Sequence, residues 1–209
     1  MLIREGFTRM TILVILCLSN RVAGQKKAEM KLDQQDLSVL GLTIGSTRAQ
    51  VEAKLGVARS SNGVREGSDE LVCYRSADKD DRTVLIFHFG ALGGWTDVTE
   101  ISISAGSSLS LNPRSCTPNV GVSRNLRFLR GLTLGVSPAE VVRVFGPPSH
   151  AAKNKLSYYV SRPCYSKQQK TEGVKPDSGS SCVMVDSFKA QFNSESQLVF
   201  SSFYHFIDR

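Results

Sequence analysis

Apolar and polar positions follow the same order twice along this chain. The first copy of the pattern is Gly41-Leu-Thr-Ile-Gly-Ser-Thr-Arg-Ala-Gln-Val-Glu-Ala-Lys-Leu-Gly56, and the second is Gly131-Leu-Thr-Leu-Gly-Val-Ser-Pro-Ala-Glu-Val-Val-Arg-Val-Phe-Gly146. The two copies align without a gap, which indicates an internal duplication. We call these segments the first and the second motif.

Each motif predicts a short strand or extended turn, followed by one short amphipathic helix. In the first motif, Thr47 and Gln50 have the spacing of a capping box, in which each side chain satisfies a backbone N–H at the helix start. Val51 and Leu55 lie four residues apart and share one helical face, and Gly56 is placed to end the helix in the left-handed conformation. The second motif has Ser137, Pro138, Glu140, Val141, Phe145 and Gly146 at the corresponding positions, followed by Pro147 and Pro148.

After each predicted helix the pattern changes to short apolar runs typical of strands. The runs are 71–75, 83–89 and 98–104 after the first motif, and 156–160, 187–192 and 198–206 after the second. Turn residues between the last two runs of each set predict hairpins. The expected fold class is therefore α+β, with two tandem repeats, each a short helix followed by a three- to four-stranded antiparallel sheet.

Several of these runs are apolar on both faces, so each sheet should cover one face with its own helix and the other with a second surface. The sibling repeat and an external partner both remain possible as that surface. The expected organisation is a signal peptide at 1–24, a flexible lead-in at 25–36, a first repeat at 37–105, a linker at 106–120 and a second repeat at 121–209 with a polar insertion at 161–182.

The amino terminus has the composition of a secretory signal. Arg4 and Arg9 precede an apolar run at 10–18, and Val22-Ala23-Gly24 offers small residues for cleavage. The run is shorter than the roughly 20 residues that a membrane-spanning helix needs. We therefore expect a secreted or periplasmic protein, with an uncleaved anchor as the alternative, and contact with the membrane only through the signal peptide before cleavage.

The cysteine count agrees with export. Cys17 leaves with the signal peptide, and an even number then remains, which in an exported chain indicates two disulfides. The pairing we favour joins Cys73 to Cys116 and Cys164 to Cys182, while four free thiols stay an alternative. No pair has the spacing C-x-x-C, so neither a zinc site nor a thioredoxin-type redox site is expected.

Composition indicates a globular protein, and the net charge bears on which surfaces the protein attracts. The chain has 41% hydrophobic and 22% charged residues, as expected for a globular protein rather than a disordered one. The formal net charge of +7 predicts attraction to anionic surfaces, but the signal peptide carries part of it. We expect no nucleic-acid partner.

The motif pattern resembles a known cell-envelope module. Gly-Leu-Thr-(Ile/Leu)-Gly-x-(Ser/Thr)-x-Ala-(Gln/Glu)-Val-x-x-x-(Leu/Phe)-Gly, followed in the second copy by Pro147, is similar to the outer-membrane assembly lipoproteins of the SmpA/OmlA (BamE) type and to the tandem-repeat β-lactamase inhibitor proteins. The resemblance implies helices packed on an antiparallel sheet and a role in binding other proteins. The chain lacks the lipoprotein cysteine, and no inhibitor contact residue transfers to it.

Candidate catalytic chemistry is sparse. The three histidines, His88, His150 and His205, are scattered along the chain, and no G-x-S-x-G sequence stands between a strand and a helix. The paired glycines of the motifs lack the lysine of a phosphate-binding loop. The sequence therefore predicts a protein that is not an enzyme and needs no metal or cofactor.

Four aromatic residues are the candidate binding residues. Trp95 lies beside Gly93-Gly94 in a predicted hairpin, and tryptophan is enriched at binding hot spots. Tyr74, Tyr158 and Tyr159 occupy equivalent strands and could line a sheet surface for a partner. Packing of these tyrosines in the core, with hydroxyls at its rim, is the alternative.

These features together predict a secreted or periplasmic, non-catalytic protein-binding module, acting as an adaptor or inhibitor on another protein of the cell envelope or extracellular space. The alternative is a small-ligand-binding protein or hydrolase with a site between the two repeats. A structural envelope component that associates with itself is a third possibility.

Overall fold

The protein is described by a computed structural model that covers residues 32, 36–58, 60–62, 70–90, 97–106, 113–163 and 183–208. Within these residues the helices are α1 (Arg48–Leu55) and α2 (Pro138–Phe145), and a 3₁₀ turn covers Pro113–Ser115. The strands are β1 (Ser38–Val39), β2 (Leu42–Thr43), β3 (Ser60–Asn62), β4 (Glu70–Ser76), β5 (Thr83–Phe89), β6 (Val98–Ala105), β7 (Thr117–Asn119), β8 (His150–Ala152), β9 (Lys155–Pro163), β10 (Val183–Phe192) and β11 (Leu198–Asp208). None of the described helices is long or apolar enough to cross a membrane.

The fold is α+β, as predicted, with strands far outnumbering helices among the described residues. One sheet has the order β3-β4-β5-β6-β11-β10-β9-β8, and β7 lies beside β4. We call the part from β1 to β6, with α1, the first half, and the part from β8 to β11, with α2, the second half. The halves are joined because β6 and β11 pair antiparallel, with Ile101 opposite Phe203.

Both halves present the same strand order outward from this junction. The hairpin β5–β6 has its counterpart in β10–β11, and β4 and β9 flank them. In β6 the pairing register skips Thr99, and in β11 it skips Val199, so both halves have an irregularity at the same place. This shift breaks the period of two in side-chain direction, so alternation along the sequence does not give the faces of β6 and β11 across the irregularity.

The segment between the two predicted repeats contributes a strand to the sheet. Residues 106–120 were expected to be a linker, but β7 lies within that range and pairs with β4 in the parallel direction. The sheet is therefore mixed rather than purely antiparallel. The Asn119 side chain also donates to the Leu55 carbonyl oxygen at the end of α1 (2.7 Å), which satisfies an acceptor that the helix leaves open.

The lead-in and the insertion also differ in part from prediction. Leu32 belongs to the expected flexible segment 25–36, yet it is buried, and Asp36 forms an ion pair with Arg130. The insertion was expected to begin at residue 161, whereas β9 continues to Pro163. The signal peptide and most of the insertion lie outside the described residues.

Both helices begin as their sequences predict. In α1 the Thr47 hydroxyl accepts from the Gln50 N–H, and the Gln50 side chain accepts from the Thr47 N–H (2.8 Å), which completes the capping box. In α2 the Ser137 hydroxyl accepts from the Glu140 N–H, while the Glu140 carboxylate lies 3.6 Å from Arg143. Helix α2 therefore has the hydroxyl half of the box and a proline at its start.

Each helix ends at a glycine with a conformation that needs glycine. Gly56 has φ 87° and ψ 162°, and Gly146 has φ 78° and ψ −166°. The sequence predicted a left-handed helical cap; φ is positive as predicted, but ψ is extended. This region of backbone space is accessible almost only to glycine, because a Cβ is strained against the peptide groups directly next to it in the chain.

The two motifs contact the sheet through equivalent backbone hydrogen bonds. The Gly45 N–H donates to the Val98 carbonyl oxygen (2.8 Å), and the Val98 N–H donates to Ser46 (2.9 Å). In the second half, the Gly135 N–H donates to the Leu198 carbonyl oxygen (2.8 Å), and the Leu198 N–H donates to Val136 (2.9 Å). The residues just before the two motifs also contact each other, through a β-bridge between Val39 and Phe128.

One core spans both halves on the face that carries the helices. A row of facing side chains crosses six strands, all of them buried: Val72, Phe87, Ile101, Phe203, Phe188 and Tyr158. The inward residues Val51, Leu55, Val141 and Phe145 of the two helices pack on this row. The predicted inward pairs of both helices are thus confirmed, and the halves share their apolar interior.

Alanine at Gly56 or at Gly146 is expected to lower the free energy of unfolding by about 1–3 kcal/mol, because L side chains rarely adopt this conformation. Neither Cβ would meet a steric neighbour, so the loss would come from the backbone alone. Thermal unfolding followed by circular dichroism measures the effect. Val57→Ala, at an exposed neighbouring side chain, is the control. Equal stability of all three variants would contradict the prediction.

The structure places Cys73 and Cys116 in a disulfide that closes a separation of 43 residues. Replacing both residues by alanine is expected to lower the free energy of unfolding by about 2–4 kcal/mol, since the cross-link restricts the unfolded chain. Denaturant titration measures the loss, and a peptide map without reductant should recover the two cysteine peptides joined. A map that joins Cys73 to Cys164 or Cys182 would contradict this pairing.

Candidate functional site

The candidate site lies on the sheet face opposite the helices, which we call the second face. Side chains alternate between the two faces of a strand, so the neighbours of the buried row point to this face. One row on it contains Leu71, His88, Glu100, Tyr204, Ser187 and Tyr159. The adjacent row contains Cys73, Ile86, Ser102, Ser202, Lys189 and Ser157.

The second face is apolar at the β4–β5 end. Cys73, Cys116, Val84 and Ile86 form a small buried cluster, against which Leu71 packs. The Cys73–Cys116 disulfide holds the chain before β7 against this cluster. This end of the face therefore serves packing.

The second face is polar and more exposed across β9, β10 and β11. Tyr159 is 44% exposed, Lys155 and Lys189 are exposed, and Tyr204 is half-buried. The Lys189 ammonium lies over the Tyr204 ring, with Nζ 5.0 Å from its centroid. Ser187, between Tyr159 and Tyr204 in the register, is buried, and its hydroxyl has no hydrogen-bond partner. We call Lys155, Tyr159, Ser187, Lys189 and Tyr204 the basic patch.

Tyr74 and Tyr158 were predicted as candidate binding residues at a sheet surface, and the structure corrects this. Both are 0% exposed, on the helix face. The Tyr74 hydroxyl donates to the Gly56 carbonyl oxygen (2.7 Å), and the Tyr158 hydroxyl donates to that of Gly146 (3.2 Å). Each tyrosine thus forms a hydrogen bond with the glycine that ends a helix. Both tyrosines pack in the core, which was the alternative interpretation of the sequence.

The environment of these tyrosines changes their acidity. Burial raises the pKa of Tyr158 from 10.0 to about 12, because the phenolate would be poorly solvated there. Burial does the same for Tyr74, also to about 12, with a smaller contribution from Glu52. The Tyr158 ring stacks on Phe188 at 5.4 Å between centroids and also contacts Phe145.

Of the other predicted site residues, Tyr159 is exposed on the second face, and its role in binding stays a prediction. Trp95, Cys164 and Cys182 lie outside the described residues, so their predicted roles stay predictions. Cys73 and Cys116 are joined as predicted.

The three histidines lie in separate environments. His88 is half-buried on the second face, and His150 is exposed on the edge strand β8. His205 Nδ1 lies 2.7 Å from Asp186 Oδ1, on the helix face. On β11 itself, Ser201 lies four residues from His205, about 13 Å away at 3.3 Å per residue. Among the residues described, no three histidine, cysteine or carboxylate side chains could together hold a metal ion.

Two further places bear on ligand binding. The junction between the halves, where the sequence allowed a cleft, is closed by the β6–β11 pairing and by buried Ile101 and Phe203. An open groove of about 770 Å³ lies between α1 and residues 40–46. Lys54 is the one charged side chain in its lining, which contains no histidine and no carboxylate, so the groove offers no acid–base chemistry.

The sequence reasoning missed Lys155, Lys189 and Tyr204. A usable signal was present in β10, where Lys189 stands between the apolar residues Phe188 and Ala190. A lysine inside an apolar alternation marks the exposed face of a strand. Tyr204 gave no such signal, because the register irregularity at Val199 exchanges the faces to which the later residues of β11 point.

Comparison with protein-family models, with curated proteins and with solved structures finds no match for this chain.

Replacing Tyr74 or Tyr158 by phenylalanine is expected to destabilise the protein by about 1 kcal/mol at pH 8, since the part-buried hydrogen bond from the tyrosine hydroxyl to the glycine carbonyl oxygen is lost. This difference should shrink as the pH rises from 10 towards 12. In that window the tyrosine ionises in the unfolded chain but stays protonated in the folded one, so the wild type loses stability that the variant keeps.

Urea unfolding at a series of pH values measures both quantities. The matched control is Tyr159→Phe, at an exposed ring on the neighbouring position of β9, whose stability should equal that of the wild type. A destabilisation of the Tyr158 variant that stays constant from pH 8 to 12 would contradict the assigned burial effect.

Proposed function

We propose that the protein is an exported, non-catalytic protein-binding module made of two tandem helix-and-sheet repeats, and that it binds its partner through the basic patch on the second face. The observation that carries the proposal is the exposure of Tyr159 and Lys189 beside Tyr204 on a sheet face whose opposite side holds both helices. Tyrosine is enriched at protein interfaces because its ring supplies area and its hydroxyl a hydrogen bond.

Tandem repeats are supported by three equivalent sets of contacts. The glycine at each helix end accepts from a buried tyrosine, in the pairs Gly56–Tyr74 and Gly146–Tyr158. Each motif forms the same two backbone hydrogen bonds with the last strand of its half, and both halves have an irregularity at the same strand position. Duplication of one ancestral unit accounts for all three, and it agrees with the resemblance to the BamE-like and inhibitor-like envelope modules.

A binding role without catalysis is supported by the junction. A hydrolase or small-ligand site between the repeats needs a cleft lined by polar groups from both, and here the described residues of the junction pack as core. The described histidines also stand apart from one another. A flat face with aromatic and charged side chains suits a protein partner better than a small molecule, which prefers a concave pocket.

Export is supported by the Cys73–Cys116 disulfide, because such cross-links persist in oxidising compartments and are rare in the cytosol. The predicted signal at 1–24 points the same way. The proposed location is therefore the periplasm or the extracellular space, and the proposed partner is another protein found there.

Site-specific photo-crosslinking tests the proposal. A photoreactive phenylalanine analogue replaces Tyr159 in one variant and Val120, which is 91% exposed beyond β7, in another. Both variants are incubated with the envelope and secreted fractions of the cells that make the protein and are then irradiated. We expect one discrete protein adduct from position 159 and none from position 120.

Two outcomes of the crosslinking experiment would contradict the proposal. Adducts of the same mass and yield at both positions would show contact without use of the second face. A complete lack of adducts at position 159, with circular dichroism confirming the fold, would contradict a protein-binding role for this surface.

A further inference from the structure

We infer that the partner contributes an extended segment with an asparagine, and that this segment adds a parallel strand to the outer edge of β9. The inference rests on the proposed function and deepens it, because it specifies how the partner is held beside Tyr159 of the basic patch.

The first half shows how the corresponding edge is covered there. Strand β7 lies along the outer edge of β4 in the parallel direction, from Tyr74 to Ser76. The Asn119 carbonyl oxygen accepts from the Ala77 N–H (3.2 Å), and the Asn119 side-chain amide donates to the Leu55 carbonyl oxygen at the end of α1 (2.7 Å). One asparagine thus satisfies a donor on the strand edge and an acceptor at the helix end.

The second half has groups equivalent to this donor and this acceptor. Tyr158 corresponds to Tyr74, because each tyrosine donates to the glycine that ends the helix of its half. Ser161 lies three residues beyond Tyr158, as Ala77 lies three residues beyond Tyr74. Phe145 is the last residue of α2. Among the described residues β9 pairs only with β8 and β10, so β7 has no counterpart there.

The Ser161 N–H points to the outer side of β9. The Tyr159 N–H donates to the hydroxyl of Ser149, which directly precedes β8 (3.1 Å), and backbone groups two residues apart in a strand point the same way. Strand β8 covers β9 only as far as Ser157, and Ser161 is exposed. The Tyr159 carbonyl oxygen receives only a long contact from the Ser149 hydroxyl (3.5 Å). A donor and an acceptor therefore face the place of an added strand.

The Phe145 carbonyl oxygen is the matching acceptor at the end of α2. The Gly146 N–H donates to the Val142 carbonyl oxygen, and the next residues, Pro147 and Pro148, have no N–H. None of the described residues donates to the Phe145 carbonyl oxygen, and carbonyl groups at a helix end need a donor from outside the helix. An asparagine amide beside β9 supplies this donor, as it does in the first half.

The sequence favours another protein as the source of this asparagine. Residues 164–182, which join β9 to β10 and lie outside the described residues, contain two glutamines and no asparagine. An added strand also places its side chains beside the exposed Tyr159 ring, since neighbouring strands bring facing side chains into contact. The strand edge and the proposed binding surface therefore meet at Tyr159.

Nuclear magnetic resonance of the backbone amides of the isotope-labelled mature protein, during titration with a peptide, tests the inference. The probe is a synthetic copy of residues 115–122 with Cys116→Ser, which has the sequence of β7. The comparison peptide carries Asn119→Ala in addition. Both peptides present the same backbone, so a difference between them measures the side-chain amide.

A pair of proline variants tests the edge donor. Ser161→Pro removes the N–H, and an edge strand tolerates proline where its N–H faces solvent. Val57→Pro is the matched control, at an exposed residue whose counterpart in the second half is Pro147. Circular dichroism checks the fold of both variants. The two peptides give an independent test on the unchanged protein.

We expect the probe to cause saturable shifts of the β9 amides at millimolar concentration, with the Ser161 amide among them. The Asn119→Ala peptide should bind about tenfold more weakly, and the Ser161→Pro protein should lose affinity for the probe by about tenfold or more, because each change removes one hydrogen bond. The Val57→Pro protein should stay within about twofold of the wild type.

Three results would overturn the inference. The first is equal binding of the two peptides, or equal binding of the two proline variants. The second is an absence of shifts along β9 at millimolar peptide. The third is slow hydrogen exchange of the Ser161 amide in the free protein, which would show that the chain itself covers this edge.

The photo-crosslink at position 159 separates this inference from the proposed function. We expect the adduct to be lost when Ser161→Pro is added to the crosslinking variant. An undiminished adduct in that protein would leave protein binding in place and contradict strand addition. If neither the adduct nor the peptide shifts appear, both proposals are wrong.

Discussion

The pairing of β6 with β11 is the interaction on which the rest of the structure depends. It joins two halves that each have a helix and a hairpin into one sheet, so that the apolar row from Val72 to Tyr158 becomes continuous. Burial of such a row supplies most of the driving force for folding. Because the helices and both motifs collect on one side of this sheet, the other side is left to carry exposed polar groups, and the proposed binding face is a consequence of the junction.

A second constraint sits at the end of each helix. A glycine with positive φ turns the chain sharply, and its carbonyl oxygen then points at a tyrosine hydroxyl from the neighbouring strand. The tyrosine that forms this hydrogen bond is buried, and its ring fills the core beside the helix. Tyr74 and Tyr158, which the sequence analysis offered as surface residues, thus connect the end of each helix to the sheet. This leaves Tyr159, one position further along β9, as the exposed member of its strand.

The basic patch shows how electrostatics and topology combine. Lys189 and Asp186 are three residues apart on one strand, yet they point to opposite faces, so the carboxylate that could neutralise the lysine is directed at His205 instead. Lys155 lies on the same face as Lys189 because β9 and β10 pair in this register. A shift of one residue would exchange the two faces and remove the patch. The charge that we assign to partner recognition is therefore a property of strand register.

The sequence favoured the Cys73–Cys116 disulfide without determining it. By itself the sequence determined the α+β class, both helices with their first and last residues, and the strands β5, β6 and β11 to within a few residues. These follow from local rules: a hydroxyl that caps a helix, a glycine that ends it, and apolar periodicity. Only the tertiary structure decided that the halves share one sheet, that β7 adds to it in parallel, and which residues of β11 face the core. It also decided that Tyr74 and Tyr158 are buried and that Lys155 and Lys189 lie on the same face of the sheet. The physical reason is that strand pairing joins residues far apart in the chain. In addition, a one-residue irregularity such as that at Val199 reverses the face to which every later side chain of the strand points, and the pattern of apolar and polar residues does not reveal it.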